Sequence, residues 1–208
     1  MKNVVKRLID VLISLCALVL LAPLMLLIAC AVRFSSPGPV LFRQARLGRY
    51  GRPFHVLKFR TMVENAEDIR NPDGSTYSGD DDPRLTAVGR LLRLSSLDEL
   101  PQLWNVLRGE MSIVGPRPDQ VDQLRYYSTE DYRKLEVRPG ITGLAQISGR
   151  NTIPWEVRRR LDCEYVNSWN LLLDLKILAS TLPYVLLRKD VNQNHRHEEN
   201  NRSASPTT

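Results

Sequence analysis

The chain is poor in the residues that build metal or disulfide frameworks. Its 208 residues hold three cysteines, Cys16, Cys30 and Cys163, and three histidines. The cysteines show no ligand spacing, and two lie in an apolar N-terminal stretch, which excludes a zinc site or a disulfide scaffold and leaves reduced, buried thiols. His195 and His197 stand in a polar tail with little claim to a metal role. No internal repeat is present, and the arginines are scattered among Gly-Pro turns without a recognition module, which argues against a nucleic-acid binder. The hydrophobic share of 43% is that of a globular chain. The net charge of +6 favours an anionic partner: phosphate, nucleic acid or an acidic lipid surface.

Charge is also nearly absent from Leu8 to Val32, where Asp10 is the one ionisable side chain apart from the cysteines. At about 25 residues this run exceeds the roughly 20 that cross a bilayer, so a straight span is one reading and a signal peptide another; Leu27-Ile28-Ala29-Cys30 even resembles a lipoprotein processing site. Lys2, Lys6 and Arg7 precede the run and Arg33, Arg43, Arg46 and Arg49 follow it. Positive flanks stay on the cytoplasmic side, and one crossing cannot place both there. Pro23 removes a helical hydrogen bond and divides the run into arms of roughly 22 and 15 Å, each too short to span. A re-entrant hairpin broken at Pro23 satisfies length, charge and proline together.

Short strands are expected at Val40–Phe42 and His55–Phe59, the second leading into Lys58-Phe59-Arg60-Thr61-Met62. Asp80-Asp81-Asp82 sits in a Gly- and Ser-rich loop and reads as solvated acids. A helix is expected over Arg84–Leu94, and another beyond it, with Leu97, Leu100, Trp104 and Leu107 on one apolar face and Gly109 as its stop. Asp98 and Glu99 then lie in the first turn, where free N–H groups and the helix dipole favour an ionised carboxylate. The same residues fit a capping box with Ser96 as cap, although Pro101 is awkward in that register. Further on, Pro139–Gly143 reads as a turn, Ala145–Ile147 as a strand and Pro154–Asn167 as a helix. Leu171–Leu187, interrupted by Asp174, Lys176 and Pro183, reads either as an interfacial helix or as a buried core helix.

The ordered set of Pro23 in its apolar run, Ser36-Pro37-Gly38-Pro39, Lys58-Phe59-Arg60-Thr61-Met62, Leu97-Asp98-Glu99-Leu100, Val114-Gly115-Pro116-Arg117-Pro118 and Arg138-Pro139-Gly140-Ile141-Thr142-Gly143 resembles the bacterial sugar transferases. More narrowly it is similar to the small monotopic phosphoglycosyl transferases, and the resemblance covers about Lys6 to Lys189. No large membrane domain precedes the motifs, so the chain looks like the minimal form. The resemblance implies transfer of a sugar 1-phosphate from a UDP-sugar to polyprenol phosphate, with release of UMP. Asp98 would be the nucleophile that forms a covalent phosphosugar intermediate, and Glu99 its dyad partner. Mg²⁺ would bridge Asp98 and the diphosphate, and Lys58, Arg93, Arg117 and Arg150 would hold phosphates. Ala22 stands where the family often has serine, which removes a hydroxyl able to bond the freed backbone of the bend.

The expected fold is mainly α with a small β element (α+β). It comprises a re-entrant membrane hairpin (1–34), a catalytic domain with interfacial helices on the cytoplasmic face of the bacterial inner membrane (35–188) and a disordered polar tail (189–208). Membrane lipids are expected partners, the oligomeric state is left open with a homodimer among the options, and the competing reading is a membrane-anchored scaffold in which the dyad is only a cap.

Overall fold

The computed structural model describes residues 4–70, 77, 79, 82–149 and 153–186. Arg150, Asp80, Asp81, His195, His197 and the tail from 189 onward lie outside the described residues. The first element, α1, is a single helix over Val4–Ser35 that contains Pro23. The chain is helical through Pro23, so the break expected there is not a gap between two arms.

Both ends of α1 dock on the same domain. Near its start the buried Lys6 donates to Asp174 Oδ2 at 2.7 Å. Asp10, the lone charge of the apolar run, is buried and accepts from Ser112 Oγ at 2.8 Å and from the Ile113 amide at 3.1 Å. A buried carboxylate needs such donors, which explains a charge in so apolar a segment. Near its end Ile28 and Val32 pack with Phe59 and Leu92. Arg60 donates to the carbonyls of Ser36, at 2.8 Å, and Pro37, covering the free carbonyl end of the helix. Between these anchors Leu12, Leu15, Val19, Leu20, Leu26 and Leu27 are exposed.

The domain itself is small. β1 (Leu41–Leu47) and β2 (Pro53–Phe59) form an antiparallel pair, longer than the sequence suggested, in register Leu41 with Phe59. α2 (Ala87–Ser95) follows, its start capped by Thr86, whose side chain accepts from the Gly89 amide. Gly89 presses on the end of β2: a Cβ there would lie 1.8 Å from the Thr61 carbonyl oxygen. The expected helix from Leu97 onward divides in two, a 3₁₀ turn at Leu97–Glu99 and α3 (Gln102–Arg108), with Pro101 at the start of α3, where its missing N–H costs nothing. Ser96 makes no side-chain cap and sits in the left-handed region at φ 57°, so no capping box forms. The buried face of α3 carries Gln102, Leu103, Asn105 and Val106, and Trp104, expected inside, is exposed.

β3 (Ser112–Val114) and β4 (Gly140–Thr142) are a parallel pair, the latter in place of the expected turn. Leu144–Ile147 is a short helix, α4, not a strand, because a four-residue apolar run carries no decisive period. α5 (Trp155–Ser168) and α6 (Leu171–Leu186) complete the α+β fold. One core joins Val56, Leu103, Val106, Met111, Ile113, Val114, Tyr165 and Ile177, and Ala17 and Leu18 of α1 pack against it. α6 is amphipathic in placement: Ile177 is buried while Leu171, Leu172 and Leu175 are exposed.

Candidate active site

Three segments converge on the 3₁₀ turn that carries the two carboxylates. β2 delivers Lys58, and its free edge is fixed by Asn105 of α3. The Asn105 side chain accepts from the Leu57 amide at 3.0 Å and donates to the His55 carbonyl at 2.8 Å, replacing a missing strand. α2 delivers Arg93, held by Thr61 Oγ1 at 3.1 Å and near Asp82 at 3.8 Å. The segment after β3 delivers Arg117.

That last segment is set by backbone contact. Gly115 donates to the Thr142 carbonyl at 2.9 Å and Gly140 to the Pro116 carbonyl at 2.8 Å. A Cβ on Gly140 would lie 2.1 Å from the Gly115 nitrogen, so only glycine permits the approach. Behind it lies a buried cluster. Lys134 Nζ sits 2.8 Å from Asp119 Oδ2 and 2.7 Å from Asp162 Oδ2, Tyr127 donates its hydroxyl to Asp119 at 2.6 Å, and the Arg117 amide donates to Asp162 at 3.4 Å. Burial works against charge on Lys134, but the two carboxylates outweigh it and keep the ammonium protonated.

At the centre the two acids are treated differently. Glu99 Oε1 accepts from Lys58 Nζ at 2.6 Å and from Arg117 Nη2 at 3.1 Å. Burial pushes the Glu99 carboxyl up, but the Lys58 and Arg117 charges outweigh it and hold it well below the usual carboxylate range. Asp98 is buried, makes no hydrogen bond through its carboxylate among the described residues, and has Lys58 Nζ at 4.0 Å as its ion-pair neighbour. Burial and the Glu99 charge raise its pKa despite Lys58, Arg93 and Arg117. This corrects the expectation that a helix start would favour the Asp98 anion: the turn precedes α3, and desolvation prevails. The result is one tied carboxylate and one desolvated, underused carboxylate side by side.

Four of the six expected site residues and a fifth, Arg93, therefore meet here: Asp98, Glu99, Lys58 and Arg117 by direct ion pairs, Arg93 through its charge on Asp98. Arg150 lies outside the described residues. Arg60, two residues from Lys58, serves the end of α1 instead. Arg46 was legible only as a flanking charge. It lies beside Arg117, donates to the Pro118 carbonyl at 3.3 Å, and is lowered to about 10 by burial and by the Arg117 charge. Asp82, expected to be solvated, is fully buried and pairs with Arg84 at 2.7 Å.

Among the described residues no group of three or more His, Cys, Asp or Glu side chains forms a metal cage. Mg²⁺ needs less, since it binds through one or two carboxylates plus substrate phosphates and keeps several waters. Asp98, a buried carboxylate without a hydrogen-bond donor among the described residues, fits that mode.

The bacterial sugar transferase family matches residues 1–188. Across 88% of the chain and 86% of the relative, it is 47% identical to the exopolysaccharide production protein ExoY of Sinorhizobium fredii. It is 45% identical to an uncharacterized sugar transferase, EpsL, of Bacillus subtilis, over 92% of the chain and 93% of the relative. It is also 47% identical to a UDP-glucose:undecaprenyl-phosphate glucose-1-phosphate transferase of Caulobacter vibrioides, over 87% of the chain and 69% of the relative. The chain belongs to the bacterial sugar transferase family. Its enzyme class is phosphoglycosyl transferase.

Proposed function

We propose that this enzyme transfers a sugar 1-phosphate from a UDP-sugar to undecaprenyl phosphate, the first membrane step of a bacterial polysaccharide. What carries the reading is Asp98: buried, without a hydrogen-bond donor among the described residues, and surrounded by the charges of Lys58, Arg93 and Arg117. A carboxylate so placed is a nucleophile that has shed its solvation, in a field of cations suited to a diphosphate.

In the first step an Asp98 oxygen attacks the sugar-bearing phosphorus. The bond from that phosphorus to the bridging oxygen breaks, and UMP leaves with the electron pair. In the second step an oxygen of the lipid phosphate attacks the phosphosugar-aspartate, forming the lipid diphosphate and returning Asp98 as a carboxylate. Lys58 and Arg117, released in part from Glu99 by the incoming phosphates, neutralise charge on the transferring group. Glu99 holds both cations in place before substrate arrives. Arg93 and Arg150 are phosphate ligands in this reading. Asp98 would hold Mg²⁺ together with the diphosphate, and the ion supplies Lewis-acid polarisation and charge neutralisation.

The acceptor rides in the bilayer, and α1 brings the site to it. Its two ends dock on one domain while its middle exposes leucines, which supports a helix that enters a leaflet and returns at Pro23 over a straight crossing. The site then faces the cytoplasm, where nucleotide sugars are found.

The test is turnover by the purified full chain in nanodiscs with Mg²⁺, undecaprenyl phosphate and a panel of UDP-sugars. UMP release that depends on lipid and is lost in Asp98→Asn is the expected result. Undiminished turnover by Asp98→Asn would sink the assignment.

A further inference from the structure

A second group of cations lies away from the dyad. Arg7 of α1, Arg49 in the turn after β1 and Arg138 just before β4 line one cleft with Lys6, Asp10 and Tyr165. Arg7 donates to the last carbonyls of α3, Val106 at 2.7 Å and Leu107 at 3.0 Å. The dyad precedes the first residue of that helix, so α3, seven residues and about 10 Å long, separates the two sites.

These arginines have no anion of their own. Among the described residues none of the three makes an ion pair. Arg49 spends its Nε on the Glu136 carbonyl at 2.9 Å and Arg138 its Nε on the Gly109 carbonyl at 2.7 Å, leaving the terminal nitrogens of both without a hydrogen bond among the described residues. The carboxylate in the cleft is already committed, since Asp10 accepts from Ser112 and Ile113. Lys6 is committed to Asp174. Burial and the charges of Arg7 and Arg49 pull Arg138 below its ordinary value, as expected when like charges share a half-buried space. An oxyanion would relieve that repulsion and engage the free guanidinium forks.

Size and position narrow the ligand. About 30 Å³ of the cleft admits the centres of water-sized molecules, room for two or three waters at roughly 10–15 Å³ each. That suits one phosphate group. The exposed Val4 and Leu8 of α1 adjoin Lys6 and Arg7, and Leu171 and Leu172 of α6, tied to α1 through Lys6 and Asp174, are exposed as well. We propose that Arg7, Arg49 and Arg138 form a binding site for a phosphate group, separate from the reacting phosphates, at the start of the membrane helix. An anionic phospholipid headgroup or free phosphate presents this chemistry, and the site is independent of the reaction assigned to Asp98.

The experiment follows thermal unfolding of the full chain carrying Arg117→Gln, which weakens phosphate binding beside the dyad. One arm titrates inorganic phosphate in phosphatidylcholine nanodiscs, and the other compares those discs with discs containing phosphatidylglycerol. The expected result is a rise in Tm in at least one arm; phosphate alone marks a free anion, and phosphatidylglycerol alone marks a lipid headgroup. Adding Arg49→Gln and Arg138→Gln should abolish the rise or shift its midpoint at least about tenfold, equivalent to 1.4 kcal/mol. Arg43→Gln with Arg160→Gln, which removes the same charge from exposed positions, should leave it intact. If the double variant does not fold, the single Arg49→Gln change at its surface turn makes the comparison. No rise in either arm, or an equal loss in both charge-matched pairs, overturns the proposal.

Discussion

Lys58 Nζ lies 2.6 Å from Glu99 Oε1 and 4.0 Å from Asp98 Oδ2, so the cation nearest the dyad is bonded to Glu99 and stands off Asp98, the proposed nucleophile. A lysine tied to Asp98 would quench its nucleophilicity. Tied to Glu99, it lends charge to the site and leaves Asp98 free. Lys58→Met should therefore reduce kcat/KM by about 10²–10³-fold, the cost of removing one preorganised cation or donor, measured as UMP release at saturating lipid. Activity within a few-fold of wild type would show that Lys58 does not face the transferring group.

Asp98 also gives a stability prediction of unusual sign. Its folded pKa is raised above the ordinary 3.8, so its contribution to stability is present below that value and is lost as pH rises through the folded pKa. Above its folded pKa the ionised Asp98 is a burden on the fold. Asp98→Asn should abolish turnover and yet raise Tm relative to wild type, the gain growing as pH rises through the folded pKa and disappearing in acid. A lower Tm at neutral pH would mean that Asp98 has partners that offset its burial.

Glu99 behaves in the opposite way. Its folded pKa is depressed below the ordinary 4.5, so its contribution is present above that value and is lost as pH falls towards the folded pKa. Glu99→Gln should cost roughly 3 kcal/mol at neutral pH, since it strands a part-buried Lys58 beside Arg117, and its Tm should converge on that of wild type in acid. An unchanged Tm at neutral pH would show the pairs to be dispensable.

The segment bearing Arg117 depends on groups far from it in sequence. Lys134→Met leaves Asp119 and Asp162 buried without their shared cation, a loss of about 3–5 kcal/mol. Lys134→Met with Asp119→Asn and Asp162→Asn should recover most of that stability. Denaturant titration of the single and triple variants checks this, and a triple variant no more stable than the single would remove the cluster from the account.

Much of this site was legible because its residues carry their chemistry in short motifs. Asp98 and Glu99 stand just before Pro101, Arg117 stands between two prolines, and Lys58 lies on an alternating strand, and the structure brings them together. The inequality of the two acids was not legible, because it rests on where Lys58 reaches across from β2. Nor was the Lys134 cluster, whose members lie 15 and 28 residues apart and share no period. The helix register after Leu97 was misread for a local reason: Pro101 starts α3 afresh, and the buried face turns to Leu103 and Val106, leaving Trp104 outside. The apolar run of α1 was plain in the sequence, but its docking at both ends needed the partners of Asp10 and Arg60 to be seen.

The central claim is that Asp98 carries the phosphosugar. It is tested most directly by the intact mass of the full chain in nanodiscs, incubated with Mg²⁺ and a panel of UDP-sugars without lipid acceptor. Wild type should gain the mass of one phosphosugar with matching UMP release, lose it on addition of undecaprenyl phosphate, and Asp98→Asn should gain nothing. The same adduct on Asp98→Asn, or lipid-dependent turnover by wild type with no adduct at any time after mixing, would contradict it.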